Sequence, residues 1–416
     1  MKRVSIIAAI CLFALGMNAQ KRGNRIEITP KAKGTEPKVA TEVSIKSGWR
    51  SARVTTLDGQ IVPCQLDDFN GDGTPDVVFF FGEAGKKHTI TLSKDLPQDT
   101  YEPQVYAELM LTNKKIKEEN KQDLYISQLT VDNGTNPYWM LHHHGAAFEN
   151  EQVAYRIYFD HRQTVDIYGK YNKGLELRQT QFYPDAEQKA NGFGDDVLWV
   201  GQTLGLGTLR GWDGSKPLML TDVAHRSQRI VARGPLRTIV EVKDEGWTVI
   251  PTTTTDNANN TSSANKIFPP RGDKRGGITM TALYTLNAGD RHCTVDITFE
   301  GDVDSREFVT GLINVKNSTE HNDGKGLRAC WGTDWPVSAK DSVGHKRETV
   351  GLGVYIPEEY VVRQLPADKD NYPIVVKPVK NHLRYFITFC SANESWGFKS
   401  DEEWYRYLEE WKKTVR

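Results

Sequence analysis

The stretch Ile278-Thr-Met-Thr-Ala-Leu-Tyr-Thr-Leu286 decides the fold class. Its residues at 278, 280, 282, 284 and 286 share one face of an extended chain, because successive side chains of a strand point to opposite faces. A second alternating run follows at 293–299, after the turn-forming residues 287–290. The two runs predict neighbouring, half-buried antiparallel strands. Further strands are predicted at 76–81, 87–92, 153–159, 164–171, 237–243 and 383–390.

The composition fits a large all-β protein. The 416 residues are 38% hydrophobic and 10% aromatic, with 35 glycines and 10 tryptophans. This content can fill a large core, so the chain is not broadly disordered. Only the C-terminus predicts a clear helix, because Ser400 and Glu403 have capping-box spacing and an apolar stripe recurs at 404, 408, 411 and 415.

Residues 1–19 have the pattern of a signal peptide, with a basic start, an apolar run and the small residue Ala19 at the end. This pattern predicts a secreted or periplasmic protein. Cys11 lies inside the apolar run and follows Ile10, which favours export without a lipid anchor. No later stretch is long and apolar enough to predict a transmembrane helix.

The polar residues 20–38 predict a flexible lead-in, and residues 39–416 predict a single domain. Within it, the Thr-, Asn-, Ser- and Gly-rich stretch 251–277 predicts a surface insertion. The chain has 53 Lys and Arg against 54 Asp and Glu. Without Lys2 and Arg3 of the signal peptide, 51 cations face 54 anions, and a net charge of −3 argues against a general nucleic-acid binder.

An acidic, glycine-rich loop at 68–76 predicts a structural calcium site. Its candidate ligands are Asp68, Asn70, Asp72, Thr74 (through its carbonyl) and Asp76. Calcium takes six to eight oxygen ligands, and Gly73 permits the tight turn that points them inward. Position 12 of the loop is Phe79 and not Glu, so an EF-hand is not indicated. The alternative is an Asx- and Gly-rich turn that binds nothing.

The densest functional chemistry lies in residues 142–170. Imidazole and phenol groups can act as acid or base, and a guanidinium can hold a carboxylate. On a strand over 153–159, Arg156 and Tyr158 share the face opposite Tyr155. The candidate catalytic residues are His144, Glu149, Arg156 and Tyr158. The candidate substrate-binding residues are His142, Asn150, Asp166, Lys170, Asp195 and Asp196.

Each of these candidates also has a structural alternative. Consecutive histidines on a strand alternate between faces, so His142 and His144 are expected on one face and His143 on the other. No cysteine pair or His-x-x-x-His spacing supports a zinc site. Arg156 is equally consistent with a buried ion pair to Asp160 or Asp166. The aromatic candidates for sugar stacking, which are equally consistent with core positions, are Trp199, Trp212, Trp331 and Trp335.

Five motifs occur in an order and with a spacing that are typical of one family. They are the loop 68–76, Phe148-Glu-Asn150, Ala154–Tyr158, Gly192-Phe-Gly-Asp-Asp196 and Val200-Gly-Gln-Thr-Leu-Gly205. In these the chain resembles a secreted bacterial domain family of unknown function, encoded mainly among polysaccharide-utilisation genes, over residues 40–416. Phe148 stands where that family has Trp, and the histidine run and the insertion depart from its pattern.

The resemblance implies a large antiparallel β-supersandwich like that of galactose mutarotase, a fold that carbohydrate lyases and hydrolases share. It also implies that Glu149 and Asn150 have a functional role and do not merely cap a turn. Fold alone does not settle chemistry. The expected partner is an oligo- or polysaccharide, and the oligomeric state is not predicted.

Four functions remain open at this point. A lyase acting on uronate-containing glycans needs a base and a group that stabilises the enolate, for which the segment offers His144 or Tyr158 and Arg156 or Asn150. A glycoside hydrolase would pair Glu149 with Asp166, Asp195 or Asp196. A mutarotase-like epimerase and a non-catalytic glycan-binding protein are the other two. An enzyme of the lyase type is favoured.

Overall fold

The structure is a computed structural model. It describes residues 20–32, 37–46, 48–112, 124–180, 184–249, 277–338, 343 and 345–415. The predicted signal peptide at 1–19 and, apart from Gly277, the predicted insertion at 251–277 lie outside the described residues. The chain divides into two compact units, 1–102 and 103–416, and this boundary falls inside the range 39–416 that was predicted as one domain.

The first unit contains two antiparallel sheets. Its strands are β1 (Gln20–Arg22), β2 (Arg25–Ile28), β3 (Lys38–Ser44), β4 (Ser51–Thr56), β5 (Ile61–Val62), β6 (Cys64–Asp67), β7 (Val77–Glu83) and β8 (His88–Ser93). The sheet orders are β1-β2-β8-β4-β5 and β3-β7-β6. Apolar side chains from both sheets, among them Ile28, Val54 and Phe80, form one core.

Strands β1 and β2 correct the flexible lead-in predicted over 20–38. In β2 the residues Arg25 to Ile28 alternate, and Ile26 and Ile28 are buried in the core of the first unit. The alternating run is only four residues long and follows a Lys- and Arg-rich stretch. A run this short gives a weak strand pattern, because strand periodicity needs four to eight residues to be recognised.

The second unit contains one nine-stranded and two five-stranded antiparallel sheets. Its strands are β9 (Val105–Glu108), β10 (Gln128–Asp132), β11 (Gly145–Asn150), β12 (Ala154–Tyr158), β13 (Val165–Gly169), β14 (Asp195–Asp196), β15 (Arg210–Trp212), β16 (Pro217–Leu218), β17 (His225–Arg233), β18 (Arg237–Trp247), β19 (Ile278–Asn287), β20 (His292–Glu300), β21 (Phe308–Ile313), β22 (Thr319–Asn322), β23 (Leu327–Asp334), β24 (Glu348–Tyr355), β25 (Val361–Gln364), β26 (Asn371–Val376) and β27 (His382–Ser391). The sheet orders are β10-β17-β18-β19-β20-β27-β24-β23-β22, β14-β13-β12-β11-β9 and β16-β15-β21-β26-β25. One hydrophobic core takes side chains from all three sheets, which gives a large antiparallel β-supersandwich.

The alternating run 278–286 forms strand β19, and the run 293–299 forms β20. The two strands pair antiparallel, with Leu286 opposite Cys293. The apolar positions of both runs are buried and the intervening positions are half-buried, as the alternation predicts. The other six predicted strands correspond to β7, β8, β12, β13, β18 and β27. The predicted all-β antiparallel class is therefore confirmed.

Two α-helices complete the described chain, α1 (Ala186–Ala190) and α2 (Asp401–Thr414), with short 3-10 turns at Tyr138–Met140, His142–His144 and Glu358–Tyr360. The C-terminal helix α2 confirms the predicted one. The Ser400 side chain accepts a hydrogen bond from the Glu403 N–H at the helix start. The apolar stripe Trp404, Leu408 and Trp411 packs on the strands β23 and β24. No described helix is both long and apolar enough to span a bilayer.

Candidate functional site

One face of the sheet β14-β13-β12-β11-β9 carries a dense set of polar side chains. Along β12, Arg156 and Tyr158 both reach the same oxygen of Asp166, whereas Tyr155 and Ile157 point to the opposite face. This is the division that strand alternation predicts. The rings of Tyr155 and Tyr158 and the side chain of Ile157 are all part of the hydrophobic core. The register places Arg156 directly opposite Asp166 of β13, so the pairing of the strands brings these groups together.

An ion cluster lies at the centre of this face. Arg156 Nη2 is 2.7 Å from Asp166 Oδ2 and 2.9 Å from Asp196 Oδ2, and the Tyr158 hydroxyl donates to Asp166 Oδ2 at 2.7 Å. None of these four residues is more than 5% exposed. Burial raises the pKa of both carboxyls, against the opposing effect of the guanidinium. Because Arg156 binds two carboxyls of the protein itself, it is not placed to hold the carboxylate of a substrate.

Glu149 and Lys170 form a second buried network on the same face. Lys170 Nζ is 2.5 Å from Glu149 Oε2. The other carboxylate oxygen accepts two backbone hydrogen bonds, from the N–H groups of Glu176 and Leu177, each at 2.8 Å. Both side chains are fully buried. The carboxylate therefore fixes the loop around residue 176 to the sheet, and its position is that of a structural anchor.

Asn150 also has a structural position. Its side-chain amide donates to the carbonyl oxygens of Asn287 at 2.7 Å and Asp290 at 2.6 Å. Its Oδ1 accepts from the N–H groups of Gln152 and Val153. The side chain thus ties the β11–β12 turn to the β19–β20 turn. With four hydrogen bonds to backbone, it uses the full capacity of a carboxamide.

The histidine run does not alternate as expected for a strand, which corrects that prediction. His143 and His144 have φ values of 54° and 61°, so the backbone turns through the left-handed region. Gly145 follows, where a Cβ would lie 2.0 Å from the Ile157 carbonyl oxygen, so only glycine fits. As a result the rings of His142 and His143 lie together, with centroids 4.0 Å apart.

Both of these imidazoles lie beside Glu108 of strand β9. His142 Nδ1 contacts Glu108 Oε1, and His143 Nε2 lies 3.9 Å from the same oxygen. His143 Nε2 donates to the Leu177 carbonyl oxygen at 3.1 Å. Tyr106 donates its hydroxyl to the second oxygen of Glu108 at 2.6 Å. Burial keeps the pKa of His143 well below its ordinary value, so this ring is neutral.

His144 belongs to a different group, which we call the rim cluster: Tyr138, Trp139, His144, Tyr158 and Arg162. The His144 ring stacks on Tyr138 with centroids 3.8 Å apart, and the Tyr158 ring lies 6.3 Å away. The Arg162 guanidinium lies 5.1 Å from the Tyr158 ring centre. Trp139 contacts Tyr138 and His144 edge-on and is 77% exposed. The cluster therefore connects an exposed indole to the buried ion cluster through Tyr158.

Asp195 lies apart from the rim cluster, next to Glu348 of strand β24. Lys189 of helix α1 binds Asp195 with 2.7 Å between Nζ and Oδ2. Burial, reinforced by the charge of Asp195, raises the pKa of Glu348 to about 7. Asn393 donates to the Glu348 carboxyl. Glu348 therefore holds its proton to a higher pH than an ordinary carboxyl does, next to the pair formed by Asp195 and Lys189.

A family model described as a domain of unknown function (DUF4861) matches residues 36–416. The chain belongs to this family. No curated protein matches the chain. Among solved structures, it is similar to a protein of glycosyl hydrolase family 38 from Enterococcus faecalis, with a TM-score of 0.43 and 10% identity over 92% of this chain. It is also similar to an alpha-mannosidase from Enterococcus faecalis V583, with a TM-score of 0.42 and 9% identity over 94%.

The chain spans 45% of the length of each of these two proteins. Similarity at this level carries no argument about activity. The assignment to DUF4861 likewise names a family without a function.

The predicted site residues separate into four groups. Arg156, Tyr158, Asp166 and Asp196 come together, Glu149, Asn150 and Lys170 form the structural network, His142 lies beside Glu108, and Asp195 lies beside Glu348. His144 joins the first group only through Tyr158. Five residues that complete these groups were not predicted from the sequence: Glu108, Tyr138, Trp139, Arg162 and Glu348.

The tryptophans proposed for sugar stacking differ in exposure. Trp212 is buried in a hydrophobic cluster, so the prediction that it could stack on a sugar is wrong. Trp331 and Trp335 are half-buried, and Trp199 is exposed. The most exposed tryptophan of the described chain is Trp139, next to the histidine run. Its neighbour Met140 is exposed as well.

The acidic loop 68–76 connects β6 and β7 in the first unit. Its side-chain oxygens accept hydrogen bonds from the backbone of the loop itself. Asp68 accepts from the N–H groups of Gly71 and Gly73, both at 2.7 Å, and Asp76 accepts from that of Phe69 at 3.0 Å. Both glycines have positive φ. The tight turn that the sequence predicts is therefore present.

Proposed function

We propose that this protein is an exported carbohydrate-active enzyme that cleaves uronate-containing glycans by elimination at the rim cluster. The observation that carries the proposal is the contact between the imidazole of His144 and the phenol of Tyr158, beside a guanidinium and an exposed indole. Elimination needs a base, an acid and a positive charge for the carboxylate. These groups lie within one cluster.

The roles follow from the chemistry of each group. His144 removes the proton from the carbon next to the uronate carboxylate, and the bond from the neighbouring carbon to the leaving oxygen breaks as the double bond forms. Tyr158, whose pKa burial holds well above its ordinary value, keeps its proton at neutral pH and donates it to that oxygen. Before the substrate arrives, Asp166 orients the phenol by accepting its one proton in a hydrogen bond. This hydrogen bond must break for the proton to pass to the leaving oxygen. The exposed face of Trp139 offers a stacking surface for a sugar ring.

Arg162 takes the role that the sequence assigned to Arg156. Its guanidinium lies between the faces of Tyr138 and Tyr158 and is paired with Asp160 at 2.6 Å. Its side chain remains 19% exposed, whereas Arg156 is fully buried between two carboxyls. Only the first of these cations is accessible to a substrate carboxylate.

Incubation of the purified protein with a panel of uronate-containing glycans, including alginate and polygalacturonate, tests this function. The expected product carries a carbon–carbon double bond that absorbs in the ultraviolet. Tyr158→Phe should lower kcat by at least about 100-fold, because it removes a general acid. Met140→Ala, which changes an exposed neighbour outside the ring contacts, should leave the rate unchanged. Absence of ultraviolet absorption across the panel, with the protein folded, would exclude a lyase.

A second candidate function is glycoside hydrolysis, and the pair Asp195 and Glu348 favours it. Asp195 is paired with Lys189, and burial raises the pKa of Glu348 to about 7. Glu348 therefore suits the general acid, and Asp195 the second carboxylate, of a two-carboxylate hydrolase. New reducing ends without unsaturation, abolished in Glu348→Gln, would select this function. Glu149, which the sequence offered for this pair, is committed to Lys170 and to backbone.

Two further proposals concern the setting of the enzyme. We propose that residues 1–19 direct export and are removed, which mass spectrometry of the secreted protein can test. We also propose that the loop 68–76 binds Ca²⁺ for structural reasons, since five oxygen donors lie in nine residues around two glycines of positive φ.

A further inference from the structure

Three neighbouring side chains on the polar face have the composition of a metal site. One potential ligand atom from each of Glu108, His142 and His143 lies within 4.8 Å of the others. The carboxylate is fully buried, and the histidines are 5% and 1% exposed. Among the described residues, no other group of three His, Cys, Asp or Glu side chains meets this distance. The proposed elimination at the rim cluster does not use any of the three.

The hydrogen bonds of these histidines leave one nitrogen of each ring without a partner. His142 Nδ1 is directed at Glu108, and His143 Nε2 donates to the Leu177 carbonyl oxygen. Within the described part of the chain, neither His142 Nε2 nor His143 Nδ1 has a hydrogen-bond partner. A buried polar atom without a partner costs about 1–3 kcal/mol, so two in adjacent rings need an explanation.

The hydrogen bond to Leu177 determines the tautomer of His143. A carbonyl oxygen only accepts, so His143 Nε2 carries the proton and Nδ1 presents a lone pair. This is the arrangement of a metal-binding histidine, whose outer N–H donates to a backbone carbonyl. His142 Nδ1 faces a carboxylate oxygen of Glu108, and with its proton on Nε2 this nitrogen also presents a lone pair beside that oxygen. One metal ion can then take a lone pair from each ring and an oxygen of Glu108.

We propose that Glu108, His142 and His143 bind one divalent transition-metal ion, with Zn²⁺ as the preferred ion. Two imidazoles and one carboxylate are a ligand set that zinc accepts, and three protein ligands leave one coordination position open. Tyr106 supports the set from outside, because its hydroxyl donates to the second Glu108 oxygen. The left-handed backbone at His143 places both imidazole rings on one side. Metal binding would explain why this unfavourable backbone conformation occurs here.

Metal content of the purified mature chain tests the proposal independently of any enzymatic activity. After exposure to excess Zn²⁺ and dialysis, elemental analysis should give about one zinc per chain. Replacement by Co²⁺ should give the visible absorption bands of a cobalt ion with nitrogen ligands. The variants His142→Ala, His143→Ala and Glu108→Gln should each lose the metal, whereas His225→Ala, at an exposed site on β17, should retain it.

A more conservative variant tests the site with less risk that the protein fails to fold. Tyr106→Phe keeps all three ligands and removes one hydrogen bond to Glu108, so the dissociation constant for zinc should rise about 10-fold. Circular dichroism and a cooperative melt establish that each variant is folded. The proposal is overturned if the folded wild-type chain takes up less than about a tenth of a zinc per chain, which would assign the two nitrogens to buried water. Equal zinc content in His142→Ala and wild type would overturn it as well.

Discussion

Arg156 and Asp166 form a fully buried ion pair across strands β12 and β13, with 2.7 Å between Nη2 and Oδ2. The same nitrogen also binds Asp196 at 2.9 Å. One guanidinium thus serves two carboxyls in a setting without solvent. Burying an unpaired charge is far more costly than burying a paired one. Loss of Arg156 should therefore destabilise the protein more than loss of one of the two carboxyls.

Removal of the cation should destabilise the protein strongly. Arg156→Met leaves two carboxyls buried without their partner, and we expect a loss of about 3–5 kcal/mol in the free energy of unfolding. Asp196→Asn leaves the pair with Asp166 intact and should cost less than about 1 kcal/mol. Urea unfolding monitored by fluorescence measures both. The surface pair Arg363–Glu307 is the control, and Arg363→Met should cost less than about 1 kcal/mol.

Glu149 should prove structural and not catalytic. Glu149→Gln leaves Lys170 buried without its counter-ion and should lower the free energy of unfolding by about 3–5 kcal/mol. The reaction rate per folded molecule should stay within a few-fold of wild type, because no other site group contacts this carboxylate. The exposed Glu187→Gln is the matched control for stability. A folded Glu149→Gln protein of normal stability and abolished activity would contradict the assignment.

The fold was predictable from sequence wherever one face of an element is buried. In β19 and β20 every second residue enters the core, so the alternation alone identifies the strands. The helix α2 was predictable for the same reason, since Trp404 and Leu408 share a stripe. Strand β2 was missed because only two buried residues, Ile26 and Ile28, mark it. The division into two units leaves no mark in the local pattern.

The site was predictable only where strand alternation holds. The prediction that Arg156 pairs with Asp166 is correct, because the two residues lie opposite each other on paired strands. The alternation fails at His142 to His144, because the left-handed residues His143 and His144 break the period of two. Glu108 was missed since the contact to His142 spans 34 residues, which no short motif covers. A local pattern cannot report a contact that the tertiary fold makes.

Trp139 should contribute to glycan affinity without contributing to stability. Its side chain is 77% exposed, so Trp139→Ala should change the free energy of unfolding by less than about 0.5 kcal/mol. Loss of one aromatic stacking contact of about 1 kcal/mol should weaken glycan binding roughly five-fold. Isothermal titration with an oligouronate measures the affinity. The adjacent Met140→Ala should bind like wild type, and an unchanged affinity of Trp139→Ala would place the binding surface elsewhere.

Glu348 should make the stability depend on pH between about 4.5 and 7. Burial raises its pKa to about 7 in the folded chain, so the native state binds the proton more tightly than the unfolded state. Its contribution to stability is complete below pH 4.5 and is lost as the pH rises through 7. After allowance for solvent screening we expect about 1 kcal/mol.

Urea unfolding at pH 5 and pH 8 tests this dependence. Glu348→Gln, which cannot titrate, should show a smaller drop in stability between the two pH values than wild type. The exposed Glu358→Gln on the turn after β24 should behave like wild type. Identical drops in Glu348→Gln and wild type would show that this carboxyl has an ordinary pKa.

Calcium should stabilise the first unit through the loop 68–76. Binding of an ion to the folded state alone raises the free energy of unfolding by about 2.7 kcal/mol at a hundredfold excess over the dissociation constant. The carboxylates of Asp68 and Asp76 already converge on the loop backbone, so the ion needs only to replace hydrogen bonds that the loop makes to itself. Thermal melting in Ca²⁺ and in chelator, with Mg²⁺ as a second ion, measures the effect.

The variant Asp72→Ala distinguishes calcium binding from the stability of the turn itself. Asp72 Oδ1 accepts only a local hydrogen bond, from the Thr74 N–H at 2.8 Å, so its loss should leave the chelator-treated melting temperature nearly unchanged. It should abolish the shift that calcium produces, because a hard cation loses one of its few charged ligands. Asp58→Ala, in an exposed turn of the same unit, should keep the full shift. If Asp72→Ala responds to calcium as wild type does, the loop is an Asx-rich turn and the ion binds elsewhere.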